Sequence, residues 1–138
     1  MADTVRKINY CYVTVPNRPG TGASMLAAFK EAGVNLEGLV AFPVKGGKAQ
    51  VDLIANDMAA IRRVAGRCGW RLSGAKKGFL VQGTDQIGAC HRHLKKLAES
   101  KVNVTAAQAL AAGKGRYAMI LWVKPKNYSR AAKTLGAK

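Results

Sequence analysis

The chain has 138 residues, enough for one ordinary domain or two very small ones, so neither half can bury a large core alone. Its 23 Lys and Arg against 7 Asp and Glu give a formal charge of +16, which attracts anions without naming one, while 7 acids and 2 histidines leave little material for acid–base catalysis. The longest apolar runs are strand-sized, and Met1-Ala2-Asp3-Thr4 lacks the charged start and apolar stretch of a signal peptide, so the expectation is a soluble, cytoplasmic protein with no membrane span.

In chain order, Ile8 to Val15 is rich in β-formers and stops at Pro16, which predicts a central strand. Asn17-Arg18-Pro19-Gly20-Thr21-Gly22 holds the turn formers, and Leu26, Phe29 and Ala32 then sit at helical spacing until Gly33 offers a C-cap. Val34 to Val44 is a second strand, Gly46-Gly47 a tight turn, and Ala49 to Ala55 a third strand paired to it. Asn56 or Asp57 can cap the next helix, whose stripe is Ile61, Val64, Ala65 and Cys68, with Arg62, Arg63 and Arg67 facing water. A short strand around Trp70 to Ser73 completes the unit. Gly78 to Gly83 then starts a second pass, followed by the turn Thr84-Asp85-Gln86-Ile87-Gly88 and a helix carrying Cys90, Leu94 and Leu97. Val102 to Leu110, Gly113-Lys114-Gly115 and Arg116 to Val123 repeat the hairpin, and Tyr128, Ala132 and Leu135 repeat the second helical stripe.

The second pass is a copy of the first. Asn35 and Asn103 lie 68 positions apart, and at that offset Gly20 meets Gly88, Leu26 meets Leu94, Val34 meets Val102, Gly47 meets Gly115 and Leu53 meets Leu121. Gly69 and Gly136 are 67 apart, so one residue is lost before the final helix. Two βαββα units are expected, residues 6–75 and 76–138, with the last strand of the second missing or supplied by something else. An unpaired edge there invites a symmetric homodimer.

Val15-Pro16-Asn17-Arg18-Pro19-Gly20 leading into a helix, then Glu31-Ala32-Gly33-Val34-Asn35-Leu36, with Gly88 and Lys101-Val102-Asn103-Val104 as a second version, resembles a pair of ACT domains. The resemblance spans nearly the whole chain. It implies an α+β fold, a ferredoxin-like βαββαβ unit repeated twice, with an antiparallel sheet and helices on one face. It also implies a non-enzymatic regulatory protein that binds an amino acid or similar small carboxylate at the seam between units, beside the turns that follow each unit's first strand. By that resemblance Arg18, Pro19, Leu36 and Asn103 join the ligand-binding set.

The chemistry of the turns points the same way. Gly20, Thr21 and Gly22 bring backbone N–H groups to a helix N-terminus without bulky side chains, which suits a carboxylate. Asn17 offers an oxygen to a ligand's ammonium, and Asn35 can donate or accept nearby. In the second copy Asp85 is the acid suited to an ammonium, with Gln86 and Gly88 beside it, and Ile87 stands where the first turn has proline.

Other functions find less support. Cys90 and His93 would share a helix face, but two ligands do not make a metal site, and neither a metal nor a cofactor is expected. Cys11, Cys68 and Cys90 have no CxxC spacing and read as reduced, packed thiols. Gly46-Gly47-Lys48 and Gly113-Lys114-Gly115 join strands and open no helix, so they are not phosphate loops. The alternative is an RNA- or nucleic-acid-binding protein of the same βαββαβ order, with Lys114-Gly115-Arg116-Tyr117-Ala118 as the aromatic strand motif.

Overall fold

A computed structural model describes residues 3–138. The elements are β1 (Thr4–Pro16), α1 (Thr21–Glu31), β2 (Gly38–Val44), β3 (Lys48–Ile54), α2 (Met58–Cys68), β4 (Lys76–Thr84), α3 (His91–Glu99), β5 (Val104–Gly113), β6 (Arg116–Val123) and α4 (Tyr128–Leu135), the last entered through a 3₁₀ turn at Pro125–Asn127. The fold is α+β, built from ferredoxin-like units on an antiparallel sheet. β3 pairs with both β1 and β2, β6 pairs with both β4 and β5, and the strand neighbours run β2-β3-β1-β4-β6-β5.

Two compact units emerge, and they divide β1 between them: one is Asn9–Lys76, and the other joins the chain up to Ile8 with Lys77–Lys138. The first unit's core sets Cys11, Val13 and Val15 of β1 and Val51 and Leu53 of β3 against Met25 and Phe29 of α1 and Ile61 and Val64 of α2. The second unit's core sets Val5 of β1, Phe79 and Val81 of β4, and Tyr117, Met119 and Leu121 of β6 against Leu97 of α3 and Ala131, Ala132 and Leu135 of α4. Within each unit both helices therefore cover the same face of the strands.

The strand expected to be missing after Gly136 has a substitute. The Lys138 N–H donates to the Val5 carbonyl at 3.0 Å, the Lys7 N–H donates to the Lys138 carbonyl at 2.9 Å, and the first half of β1 neighbours β4. In the first unit the expected strand at Trp70–Ser73 is reduced to a bridge between Val13 and Leu72, extended by the Ser73 N–H to the Tyr12 carbonyl at 2.8 Å.

Two strands start later than the apolar pattern suggests, because the residues before them close helices. The Val34 N–H bonds back to the Phe29 carbonyl at 2.9 Å, and the Val102 N–H bonds back to the Leu97 carbonyl at 2.8 Å. These are repeat-equivalent helix ends. The helix stripes also shift by one residue: Met25 with Phe29 and His93 with Leu97 are buried, whereas Leu26 and Leu94 are exposed. Cys68, expected to be packed, is exposed at the last turn of α2, while Arg62, Arg63 and Arg67 face water as expected.

Left-handed backbone at these ends makes one residue costly. Gly33 takes φ 71° after α1, but its counterpart after α3 is Lys101 at φ 59°, where a Cβ crowds the following carbonyl. Lys101→Gly should therefore raise unfolding free energy by about 0.5–1 kcal/mol in urea denaturation, whereas Gly33→Lys should lower it by a similar amount.

Candidate functional site: the two strand–helix turns

The first turn is shaped by three backbone hydrogen bonds: the Asn17 N–H to the Gly47 carbonyl at 2.9 Å, the Thr21 N–H to the Arg18 carbonyl at 3.3 Å, and the Ser24 N–H to the Gly20 carbonyl at 2.9 Å. Gly20 sits at φ 92° as the residue before α1, a conformation that excludes most side chains. No side chain caps this helix, its first turn holds no acid, and the Gly22 and Ala23 N–H groups have no acceptor among the described residues. Asn17, Arg18, Pro19 and Gly20 are exposed, with Thr21 half-buried, so this turn offers free donors to an anion.

The second turn reproduces two of these three bonds; in place of the third, the His91 N–H donates to the Gly88 carbonyl at 3.0 Å, and α3 begins at His91, beyond the Ala89 that corresponds to Thr21. The Asp85 N–H donates to the Gly115 carbonyl at 2.8 Å and the Ala89 N–H to the Gln86 carbonyl at 3.0 Å, each 68 positions after its partner in the first turn. Gly88 takes φ 74° in the place of Gly20. Ile87 replaces the proline without altering these bonds, and its side chain is fully exposed. The Cys90 N–H, at the position of Gly22, is likewise without an acceptor among the described residues.

The second turn borders a cleft. A cavity of about 300 Å³ is lined by Asp85, Gln86, Gly88, Cys90, His91 and Tyr117, with Ala109 to Ala111 of β5 as a wall. Burial, with the charges of Asp3 and Asp85, pushes the Cys90 thiol up, so it stays protonated and is a poor nucleophile. Tyr117, Cys90 and His91 are not among the residues the sequence assigns to the small ligand; there Tyr117 reads as a base-stacking residue and Cys90 as a metal ligand short of partners. The repeat itself was the available signal, since Cys90 lies 68 positions after Gly22.

Behind the cleft, Tyr117 belongs to a buried cluster around Asp3. Asp3 Oδ2 accepts from the Tyr117 hydroxyl at 2.5 Å, lies 2.7 Å from His93 Nε2 and 2.6 Å from Arg92 Nη2, and its side chain is only 3% exposed. Burial by itself raises the Asp3 carboxyl, but hydrogen bonds from Tyr117, His93 and Arg92 outweigh it and hold the group down at about 2. An ionised carboxylate only accepts, so His93 carries its proton on Nε2. Burial, then the bond to Asp3, pushes the Tyr117 hydroxyl up to about 12. Gly83 makes room for this arrangement, because a Cβ there would collide with the Asp3 carboxylate.

The remaining residues singled out by sequence lie elsewhere. Asn35 and Leu36 follow the far end of α1 and line a separate cavity of about 440 Å³ with Leu26, Phe29 and Lys30. An 11-residue helix spans about 16 Å, so the structure does not bring them to Asn17 or Gly20. Asn103 occupies the same place after α3 and is exposed.

No protein-family model and no curated protein sequence matches the chain. Solved structures do. A protein from Bacteroides thetaiotaomicron superposes with a TM-score of 0.81 at 13% identity, covering 97% of this chain and 88% of that one. The ligand-free regulatory subunit of aspartate kinase from Thermus thermophilus gives 0.63 at 13% identity, covering 99% and 95%. The corresponding subunit from Thermus flavus gives 0.59 at 16% identity, covering 98% and 94%. The fold is ACT-like. At these identities the likeness is one of fold alone, and the aspartate kinase relatives are described as regulatory parts of that enzyme.

Within this ACT-like fold the Asp3 cluster ties the start of β1 to α3 and β6. Asp3→Asn and Gly83→Ala should each cost about 2 kcal/mol of stability, and the double variant should cost little more, since both disrupt the same bonds. The folded carboxyl, at about 2, lies below its ordinary 3.8, so its contribution is present above that ordinary value and is lost as pH falls toward 2. Urea denaturation from neutral pH down through that window should show a shallower acid limb for Asp3→Asn than for the wild type.

Proposed function

We propose that this chain is a non-enzymatic sensor that binds an amino acid or a similar small carboxylate at its strand–helix turns and passes the bound state to a partner or to its own oligomer. The observation that carries the proposal is the geometry the two turns share: two equivalent backbone bonds, a left-handed glycine and an unaccepted N–H, at Gly22 or Cys90, where a helix begins. Those donors suit a carboxylate. Gly22 N–H and Ala23 N–H serve it at the first turn, with Asn17 oxygen toward the ammonium. At the second turn Cys90 N–H takes the carboxylate, Asp85 the ammonium, and Tyr117 and Leu110 enclose the ligand's body. A cytoplasmic setting fits three cysteines that are all unpaired. Among the described residues no helix is long and apolar enough to cross a membrane.

An RNA-binding role loses its main residue, because Tyr117 is 4% exposed, faces the helices and bonds Asp3, so no base can stack on it. Thermal-shift screening against the amino acids and small carboxylates tests the sensor role, since a ligand of the native state must raise the melting temperature. Gly22 is the informative position at the first turn: unlike Gly20 it has ordinary φ, and a Cβ there meets nothing within 4 Å. Gly22→Val and Asp85→Asn should fold normally, and by calorimetry each should weaken the ligand about tenfold at its own turn. Unchanged affinity in both variants would remove the turns from the site.

The dimer is part of the same proposal but rests on different strands. Since Lys138 pairs with β1, the edges left at the ends of the strand order are β2 and β5. β2 exposes Leu39, Phe42 and Val44, and β5 exposes Leu110 at 70%. Apolar edges with unpaired backbone groups favour pairing with a second copy. Light scattering at micromolar concentration should give the mass of two chains, and Phe42→Lys or Leu110→Lys should halve it; a wild-type monomer throughout would overturn the dimer.

A further inference from the structure

The first unit contains a second feature that the turn sites do not use. Between the end of α1 and the outer side of α2 lies a groove of about 600 Å³, with Val34, Ala60 and Val64 forming an apolar floor and Arg62, Arg63 and Arg67 standing at its rim. None of the three guanidinium groups joins an ion pair among the described residues. Asp57, the nearest acid in sequence, is committed to capping α2 through the Ala60 N–H at 3.0 Å.

Gly66 supplies an independent observation. It lies inside α2 without a left-handed φ, and a Cβ there would meet nothing within 4 Å, so neither backbone conformation nor close packing calls for glycine. Glycine in a helix interior costs about 1 kcal/mol relative to alanine. What it provides is room, because Gly66 lines the groove between the arginines.

The duplicated helix has lost all of this. With the 67-residue offset of the final helices, Arg62, Gly66 and Arg67 become Ser129, Lys133 and Thr134, and the retained Arg130 donates to Asn127 Oδ1 at 3.0 Å. The arginine-lined groove is therefore a property of the first unit and not a by-product of general basicity.

We infer that this groove binds a nucleoside di- or triphosphate, with the phosphates on the forked guanidinium groups and the base on the apolar floor. Arginine presents paired donors that match phosphate oxygens, and a cavity of this volume falls in the range of small-molecule sites. A short groove with three cations and no aromatic lining also suits a short polyphosphate better than a nucleic-acid strand, which needs a continuous basic track with stacking aromatics. The site is separate from the strand–helix turns, so its failure would leave the sensor proposal standing.

Calorimetric titration of the full chain with ADP, pyrophosphate, adenosine and a single-stranded oligonucleotide, at fixed near-physiological salt, tests the inference. ADP should bind saturably with one site, pyrophosphate more weakly and adenosine weakest. Arg63→Gln with Arg67→Gln should weaken ADP at least about tenfold, whereas Lys124→Gln with Lys126→Gln, an equal loss of charge away from the groove, should change it less than about twofold. Gly66→Leu keeps every charge but fills the groove, and should abolish ADP binding while thermal stability is kept or raised. Equal effects from the two charge-removing pairs, an unaffected Gly66→Leu, pyrophosphate as tight as ADP, or no saturable ADP binding would each overturn the proposal. Tighter, length-dependent oligonucleotide binding at the same arginines would overturn it in favour of nucleic acid.

Discussion

β1 is the constraint on which the rest of the structure depends. Its 13 residues make one unbroken strand, yet Val5 packs in one core and Cys11, Val13 and Val15 in the other. Units of about 70 residues bury little apolar surface, so losing one strand from either would leave its sheet face under-covered. Sharing β1 resolves this for both. Its first half pairs with Lys138 beside β4, and its second half pairs with β3 and bridges to Leu72. Asp3 immediately precedes the same strand, so its anchoring by Tyr117, His93 and Arg92 holds the shared element in place.

Duplication has kept the backbone and changed the chemistry. Two of the turn bonds and the helix-closing bonds recur at an offset of 68, even where Lys101 must adopt a conformation that glycine adopts in the first copy. Side chains diverge at the positions with chemical potential: Met25 becomes His93, Ala49 becomes Tyr117, and Asn17 becomes Asp85. Backbone geometry is fixed by packing and hydrogen bonding that both copies need, whereas side chains diverge even in the core, where the buried His93 and Tyr117 are accommodated by their bonds to Asp3. The two turns thus share one free N–H, at Gly22 and Cys90, amid different side chains, whereas the Arg62, Arg63 and Arg67 set belongs to the first unit.

Cys90 is a protonated thiol, Asp3 spends its charge on three donors, and His93 holds its proton for Asp3. None is paired with a neighbour that would activate a nucleophile. Asp52 is the other buried acid; burial raises its carboxyl, while a 2.9 Å bond from Gln50 Nε2 partly offsets the shift.

The sequence by itself determined the element types, the twofold repeat, both hairpins, the turn positions and the α+β class, because these follow from local periodicity, glycine and proline placement and a repeat with almost no gaps. Local signals cannot reveal which side of a helix meets a core when two apolar residues adjoin, so Met25 and His93, not Leu26 and Leu94, are buried. Nor can they show that Val34 and Val102 close helices before any strand begins, or that the strand lacking after Gly136 has a substitute at the other end of the chain, where Val5 and Lys7 pair with Lys138. The Asp3 cluster joins residues 90 and 114 positions apart, and the cleft joins a turn to a distant strand. Tertiary structure alone decides such contacts, since pairing across the chain depends on how the strands are ordered and not on the residues beside each one.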